Sequence, residues 1–138
     1  MEHNNANVKL ALTAARAMIT DPERWTKGAL ARDEGGAPVL PYEEGATCWC
    51  AIGALMLASG VTAPAHPSHW PRDPFLRARR NETYAAAETL LDAAATIIAR
   101  RGEREPGAIS LNDASVTSHA DVLAAFDHAM ASLSDEPA

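Results

Sequence analysis

The stretch TCWCAIGAL, residues 47–55, contains both cysteines of the chain and one of its three tryptophans. It lies within an apolar segment that extends from Ala46 to Ser59. Gly60 follows this segment, and glycine commonly follows the last turn of a helix. Because the segment is apolar nearly all the way round, it predicts a helix that is buried at the centre of the fold.

Three other segments have apolar residues at the three- and four-residue spacing of amphipathic helices. The first covers residues 7–20, and the second covers residues 81–101 with Asn81 as its N-cap. The third ends near Leu133, and Ser118 with Asp121 at its start resembles a capping box. These segments predict a bundle of helices around residues 46–59.

Two short apolar segments, residues 29–32 and 37–40, flank the turn-forming residues 33–36 and predict a small hairpin. The chain has 138 residues, a length that fits one domain, with a core from about residue 8 to about residue 133. Alanine is abundant and aromatic residues are few, which favours close approach between helices. The predicted fold is mainly α: a compact bundle of about four helices with a small accessory β-hairpin.

Charge and hydropathy narrow the classes of partner. The formal net charge is −6, and nucleic-acid binding is not expected for an acidic chain without a dominant basic face. No basic leader and no apolar run of roughly 20 residues is found, so a cytoplasmic protein without a membrane span is expected. The segment from residue 105 onward has six acidic residues and no Lys or Arg, which suits a basic partner surface.

A zinc site was the first candidate for chemistry. Its ligands would be Cys48, Cys50, His66 and His69, separated by a proline-rich loop. The C-x-C and H-x-x-H spacings differ from those of common zinc domains. A helix would also direct the two cysteines roughly 200 degrees apart, so both could bind one ion only if the helix begins after Cys50. No metal and no cofactor is therefore predicted.

Nucleophilic catalysis is the second candidate. Cys50 lies near a predicted helix N-terminus, where a thiolate is favoured, and His119 begins another helix. Asn112 and Asp113 lie just upstream of His119, and Asp113 could orient its ring. The alternative is structural: a buried cysteine is an ordinary core residue with a raised pKa, and Asn112 with Asp113 would stabilise a turn.

Binding residues are the third candidate. Trp70 lies beside Arg72 in a proline-rich loop, and an exposed Trp next to an Arg is a common interface anchor. Arg77, Arg79 and Arg80 could bind an acidic partner. In the alternative, Trp70 covers the alanine-rich helices and the arginines form a solvated face.

Several short blocks of the sequence are distinctive as a set: Trp25, GALARD (28–33), GAPV (36–39), WCAIGAL (49–55), LND (111–113) and HADVL (119–123) with Phe126-Asp127 and Ala129. Together they resemble a family of small bacterial and phage proteins of unknown function. The resemblance covers roughly residues 25–130 and implies a compact domain, but it implies no activity. Cys50, Asn112, Asp113 and His119 are polar residues within these blocks, whereas Cys48, His66 and His69 lie outside them.

The preferred hypothesis is a small cytosolic interaction or regulatory module, related to phage or host biology, with a protein partner. A homo-oligomer is left open. The main alternative is a cysteine-dependent hydrolase or transferase that uses Cys50, His119 and Asp113 or Asn112. A structural zinc domain is the third hypothesis.

Overall fold

The computed structural model describes residues 2–64, 73–102, 105–114 and 117–134, without the side chains of residues 2–4 and 134. Within these ranges the fold contains six α-helices and a small antiparallel sheet, so the predicted mainly α class is confirmed. The helices are α1 (Glu2–Met18), α2 (Ala51–Ala58), α3 (Pro74–Ala78), α4 (Glu82–Arg101), α5 (Ala108–Asp113) and α6 (His119–Ser134). The strands are β1 (Ala31–Asp33), β2 (Pro38–Val39) and β3 (Ala46–Trp49).

The predicted hairpin is present and gains a third strand. The strand order is β2-β1-β3, with both pairs antiparallel. Asp33 closes the turn of the hairpin, because its carbonyl accepts from the N–H of Gly36 and its carboxylate accepts from the N–H of Ala37. Gly36 has a φ of +86°, a left-handed conformation that glycine adopts without strain.

The central helix is shorter than predicted. Its first four predicted residues, Ala46–Trp49, form β3 instead, and Trp49 pairs with Ala31 of β1. Cys50 is extended, with φ −78° and ψ 173°, and α2 begins only at Ala51. Pairing with β1 gives this part of the backbone its hydrogen bonds, and Thr and Trp suit a strand. The prediction of a helix from Ala46 was therefore wrong.

The core lies where α1, α2, α4, α5 and α6 meet. Every residue of α2 from Ala51 to Met56 is buried, as its apolar sequence predicted. Helix α4 packs against α1, α2, α5 and α6. The three- and four-residue spacing predicted for residues 81–101 places one apolar seam of α4 in the core; its buried residues are Tyr84, Ala87, Leu91, Ala94 and Ile98. The alanines of the seam allow the neighbouring helices to come close.

Local capping follows the sequence closely. The Asn81 side chain accepts from the N–H of Tyr84 at 2.9 Å and begins α4. Ser118 and Asp121 form a reciprocal capping box, in which the N–H of Asp121 donates to Ser118 Oγ at 3.1 Å and the N–H of Ser118 donates to Asp121 Oδ2 at 3.2 Å. Such bonds satisfy N–H groups that a helix start leaves without partners.

Two acidic residues of α4, Glu88 and Asp92, make specific hydrogen bonds within the protein. Glu88 is only 8% exposed, and its carboxylate accepts from the Tyr84 hydroxyl at 2.6 Å and from Arg79 at 2.7 Å. Asp92 is half-buried and accepts from the N–H of Ala108 at 2.7 Å, which holds the start of α5 against α4. Burial raises the pKa of Asp92, partly offset by this bond.

Candidate functional site

Cys50 joins the sheet to α2. Its backbone N–H donates to the Leu30 carbonyl at 3.1 Å, which continues the β1-to-β3 pairing by one residue. Its sulfur accepts from the N–H of Gly53 at 3.3 Å and so caps the helix start. The residue is 4% exposed. Burial raises the pKa of the Cys50 thiol to about 11, and the nearby Asp113 charge also raises it, against the lowering effect of the Gly53 and Ile52 N–H groups.

Asn112 is the centre of a hydrogen-bond network. It is 1% exposed, and its side-chain oxygen accepts from the indole N–H of Trp25 at 2.6 Å and from the N–H of Ala51 at 3.1 Å. Its side-chain nitrogen donates to the Thr26 carbonyl and to Asp113 Oδ1, both at 2.9 Å. Because donors face the oxygen and acceptors face the nitrogen, the orientation of the amide is fixed. One side chain therefore links α5, the start of α2 and the segment before β1.

Asp113 extends this network to the segment before β1. Its Oδ1 accepts from the N–H of Gly28 at 2.9 Å, and the residue itself is exposed. Lys27 also binds the chain that follows α5. Its amino group donates to the carbonyls of Ala114 at 2.6 Å and Thr117 at 2.9 Å. Lys27 also lies 5.4 Å from the centroid of the Trp25 ring.

His119 lies on the other side of Trp25. Its Nε2 is 2.6 Å from the carbonyl oxygen of Ile19, just beyond the end of α1, and its ring centroid is 5.3 Å from that of Trp25. The ring thus connects the start of α6 to the end of α1. No hydrogen bond between Cys50 and His119 is found in the part of the chain that the structure describes. Each of them bonds to a different neighbour.

The structure therefore brings three of the four candidate catalytic residues together. Asn112 contacts the residue after Cys50, and Asp113 is close enough to act on the pKa of its thiol. His119 is connected to them through Trp25. Trp25 and Lys27 were not among the candidate site residues. The signal for Trp25 was its place in the first of the family-like blocks.

Two cavities open beside the segment Gly28–Leu30, and Cys50 lines one of them. The cysteine cavity has a volume of about 180 Å³ and is lined by Gly28–Leu30, Cys50, Phe75, Ile109 and Asp113. The sheet cavity has a volume of about 350 Å³ and is lined by the same Gly28–Leu30 segment with Pro38, Val39, Leu40 and Glu43. The two cavities are adjacent because they share that segment.

Comparison with known proteins places the chain in a family. Residues 3–132 match a family of unknown function, DUF6197. The chain belongs to DUF6197. The resemblance seen in the sequence is thus confirmed at the level of a small domain without an assigned activity. No curated protein and no solved structure matches the chain.

The family-like blocks of this DUF6197 chain converge in space. Five of the seven residues that line the cysteine cavity lie in them; these are Gly28, Ala29, Leu30, Cys50 and Asp113. Trp25, Asn112 and His119, which carry the hydrogen-bond network next to the cavity, also lie in these blocks. Blocks far apart in the sequence therefore build one small region between the sheet, α2 and α5.

The arginine candidates lie elsewhere on the DUF6197 domain. Arg79 pairs with Glu88, which raises the pKa of its guanidinium. Arg77 donates to the Thr62 carbonyl and lies 5.3 Å from the Tyr42 ring centroid. Arg77 and Arg80 line a cavity of about 400 Å³ beside residues 60–64. Trp70 and Arg72 lie outside the described residues.

The zinc hypothesis stays untested. Helix α2 does begin after Cys50, which is the condition that would let both cysteines bind one ion. His66 and His69, however, lie outside the described residues. Among the residues that are described, no group of three or more His, Cys, Asp or Glu side chains could hold a metal ion. Cys48 lies in β3 and is half-buried, with its sulfur 3.9 Å from the Arg32 carbonyl.

Proposed function

We propose that this chain is a small interaction or regulatory module without catalytic activity, acting on a protein partner in the cytoplasm of a bacterium or of a phage-infected cell. The proposal rests on the burial, the capping role and the raised pKa of Cys50. Its sulfur caps α2, it is 4% exposed, and its pKa is raised to about 11. A nucleophilic cysteine needs a lowered pKa and access to substrate.

The neighbouring polar groups support the same conclusion. Asn112 uses both atoms of its amide in bonds within the protein, and the ring of His119 bonds to a backbone carbonyl. A general base must be within hydrogen-bond reach of the group it deprotonates. These residues instead link α5, α6 and the start of α2 to the segment before β1.

The cysteines also fit a reducing compartment. Cys48 and Cys50 are the only cysteines of the chain, and both are free. Cytoplasmic proteins usually keep their thiols reduced. No helix among the described residues combines the length and the apolar character that crossing a membrane requires.

Thiol labelling tests the proposal. In a Cys48→Ser variant, we expect iodoacetamide to label Cys50 about a hundredfold or more slowly in the folded protein than in urea, because labelling requires local opening. The matched control is Cys50→Ser, in which the half-buried Cys48 should label faster than Cys50 does in the folded state. Mass spectrometry at about pH 7 measures both rates.

The variant His119→Ala distinguishes an interaction module from a cysteine-dependent enzyme. If His119 activated Cys50, His119→Ala would slow the labelling of Cys50. If His119 instead holds α6 to α1, the same change loosens the fold and labelling becomes faster. Rapid labelling of Cys50 in the folded protein, slowed by His119→Ala, would overturn the proposal in favour of a cysteine-dependent hydrolase or transferase.

A further inference from the structure

The segment Gly28–Leu30 lines both cavities and is held by hydrogen bonds at its two ends. At one end the N–H of Gly28 donates to Asp113, and at the other end the Leu30 carbonyl accepts from the N–H of Cys50. The backbone of Leu30 also lies directly against Gly53 of α2. A surface that is fixed before a ligand arrives loses less conformational entropy on binding.

The volume of the cysteine cavity favours a single side chain over a drug-sized molecule. Pockets for drug-sized molecules usually measure about 300–1,000 Å³, and the cysteine cavity, at about 180 Å³, is smaller. The neighbouring sheet cavity measures about 350 Å³ and shares the Gly28–Leu30 lining, and we call these two neighbouring cavities the groove. Side chains of an extended peptide that point to the same face are two residues apart, which allows one peptide to occupy neighbouring cavities.

The walls of the groove are apolar. Phe75 and Ile109 lie at the cysteine cavity, and Ile109 is 39% exposed although it is a large hydrophobic residue. The sheet cavity is lined by Pro38, Val39 and Leu40. An aliphatic side chain is therefore the best match for the interior of either cavity.

The charged groups that line the groove are both acidic within the described residues. Asp113 lines the cysteine cavity and Glu43 lines the sheet cavity. Among the described residues, the two hydrogen bonds of the Asp113 carboxylate both use Oδ1, and Oδ2 lies at an exposed position without a bond to any of them. Three described cations near the groove lie outside both linings and are held internally: Lys27 donates to two backbone carbonyls, Arg32 donates to Thr26, Gly36 and Lys27, and Arg79, 5.6 Å from the Phe75 ring centroid, pairs with Glu88.

We infer that the groove binds a linear peptide segment of a protein partner, with an aliphatic side chain in the cysteine cavity and a lysine or arginine two residues away paired with Asp113. This inference rests on the proposed function and adds the chemistry of the partner. The net charge of −6 helps to attract a basic segment.

A bead-displayed library of random heptapeptides tests the inference with the full chain. We expect the bound fraction to be enriched in peptides that have Leu, Ile, Met or Val two residues from Lys or Arg. Binding of an enriched peptide, measured by fluorescence anisotropy, should weaken about tenfold in Ile109→Lys. It should weaken roughly two- to fivefold in Asp113→Asn, which keeps an acceptor for Gly28 but removes the charge.

Leu10→Lys is the matched control, because Leu10 is 68% exposed and lies on α1, outside both cavity linings. This variant should bind like the unchanged protein. Enrichment of acidic peptides, binding that is insensitive to Ile109→Lys, or no enrichment at all would overturn the inference. So would light scattering that shows a dimer dissociated by Ile109→Lys, since the occupant would then be a second copy of the chain. These outcomes leave the proposed function standing, whereas rapid labelling of folded Cys50 overturns the proposed function itself.

Discussion

Replacing Asn112 with alanine is expected to lower the free energy of unfolding by about 3–5 kcal/mol. The side chain is 1% exposed and makes four hydrogen bonds. Alanine would leave the N–H of Ala51 and the indole N–H of Trp25 without their acceptor in a region that water hardly reaches. Each buried polar group left without a partner costs about 1–3 kcal/mol. Urea unfolding followed by circular dichroism measures the loss.

Two further variants locate the origin of that loss. Ser110→Ala, at an exposed position of α5, should change the free energy of unfolding by less than about 0.5 kcal/mol. Asn112→Asp keeps the acceptor but places a carboxylate against the Thr26 carbonyl and the Asp113 carboxylate. At neutral pH this variant should have a lower free energy of unfolding than the unchanged protein. Part of that loss should be recovered on acidification, when the new carboxyl group can donate a hydrogen bond again. A loss below about 1 kcal/mol for Asn112→Ala would contradict the network.

Gly53→Ala is expected to cost about 3–4 kcal/mol, because α2 touches the backbone of Leu30 at this position. A Cβ atom on Gly53 would lie 1.9 Å from the Leu30 carbonyl oxygen and 2.8 Å from its carbon. Relief requires α2 to move away from the segment before β1, which also stretches the bond from Cys50 to Leu30. Helix propensity alone predicts the opposite sign, a gain of about 1 kcal/mol for alanine over glycine. The sign of the measured change therefore decides between packing and propensity.

Gly45→Ala is the matched control for Gly53→Ala. A Cβ atom at Gly45 would meet only the Asp33 Cβ at 3.8 Å, which is ordinary contact. We expect this change to be neutral or to stabilise by up to about 1 kcal/mol, since it restricts the unfolded chain. If Gly53→Ala were as well tolerated as Gly45→Ala, the close approach of α2 to Leu30 would not exist.

The sequence predicted the features that depend on local chemistry. Asn81 and the pair Ser118 and Asp121 cap helices as expected, since capping requires only residues three positions apart. The apolar spacing of α4 identified its buried seam, and the turn residues between β1 and β2 identified the hairpin. In each case the residues that determine the structure are neighbours in the chain.

The third strand could not be predicted in this way. An apolar run such as Ala46–Trp49 has no period that separates a strand from a buried helix. The choice is made by β1, which offers hydrogen bonds to Cys48 and Trp49 from residues about 16 positions earlier in the chain. The start of α2 at Ala51, and with it the capping role of Cys50, follows from that pairing.

The candidate site was predicted as a set of residues but not as an arrangement. Cys50, Asn112 and Asp113 do lie near one another. Their bonds go to partners that carry no sequence signal, such as the carbonyl of Thr26 and the N–H of Gly28. The hypothesis that His119 activates Cys50 requires contact between two residues far apart in the sequence. Only tertiary structure determines whether such a contact forms.

The pKa of Cys50 tests the central claim, that this cysteine is structural, most directly. Titration of its ¹³Cβ chemical shift in a Cys48→Ser variant should show a thiol throughout the neutral range and a midpoint at about 11. Because this pKa lies above the value of 9.0 for an ordinary cysteine, the stability that the protonated thiol contributes is fully present below about pH 9 and is lost as the pH rises toward about 11. A midpoint below about 8 in the folded protein would show a thiolate ready to react, and would contradict the account.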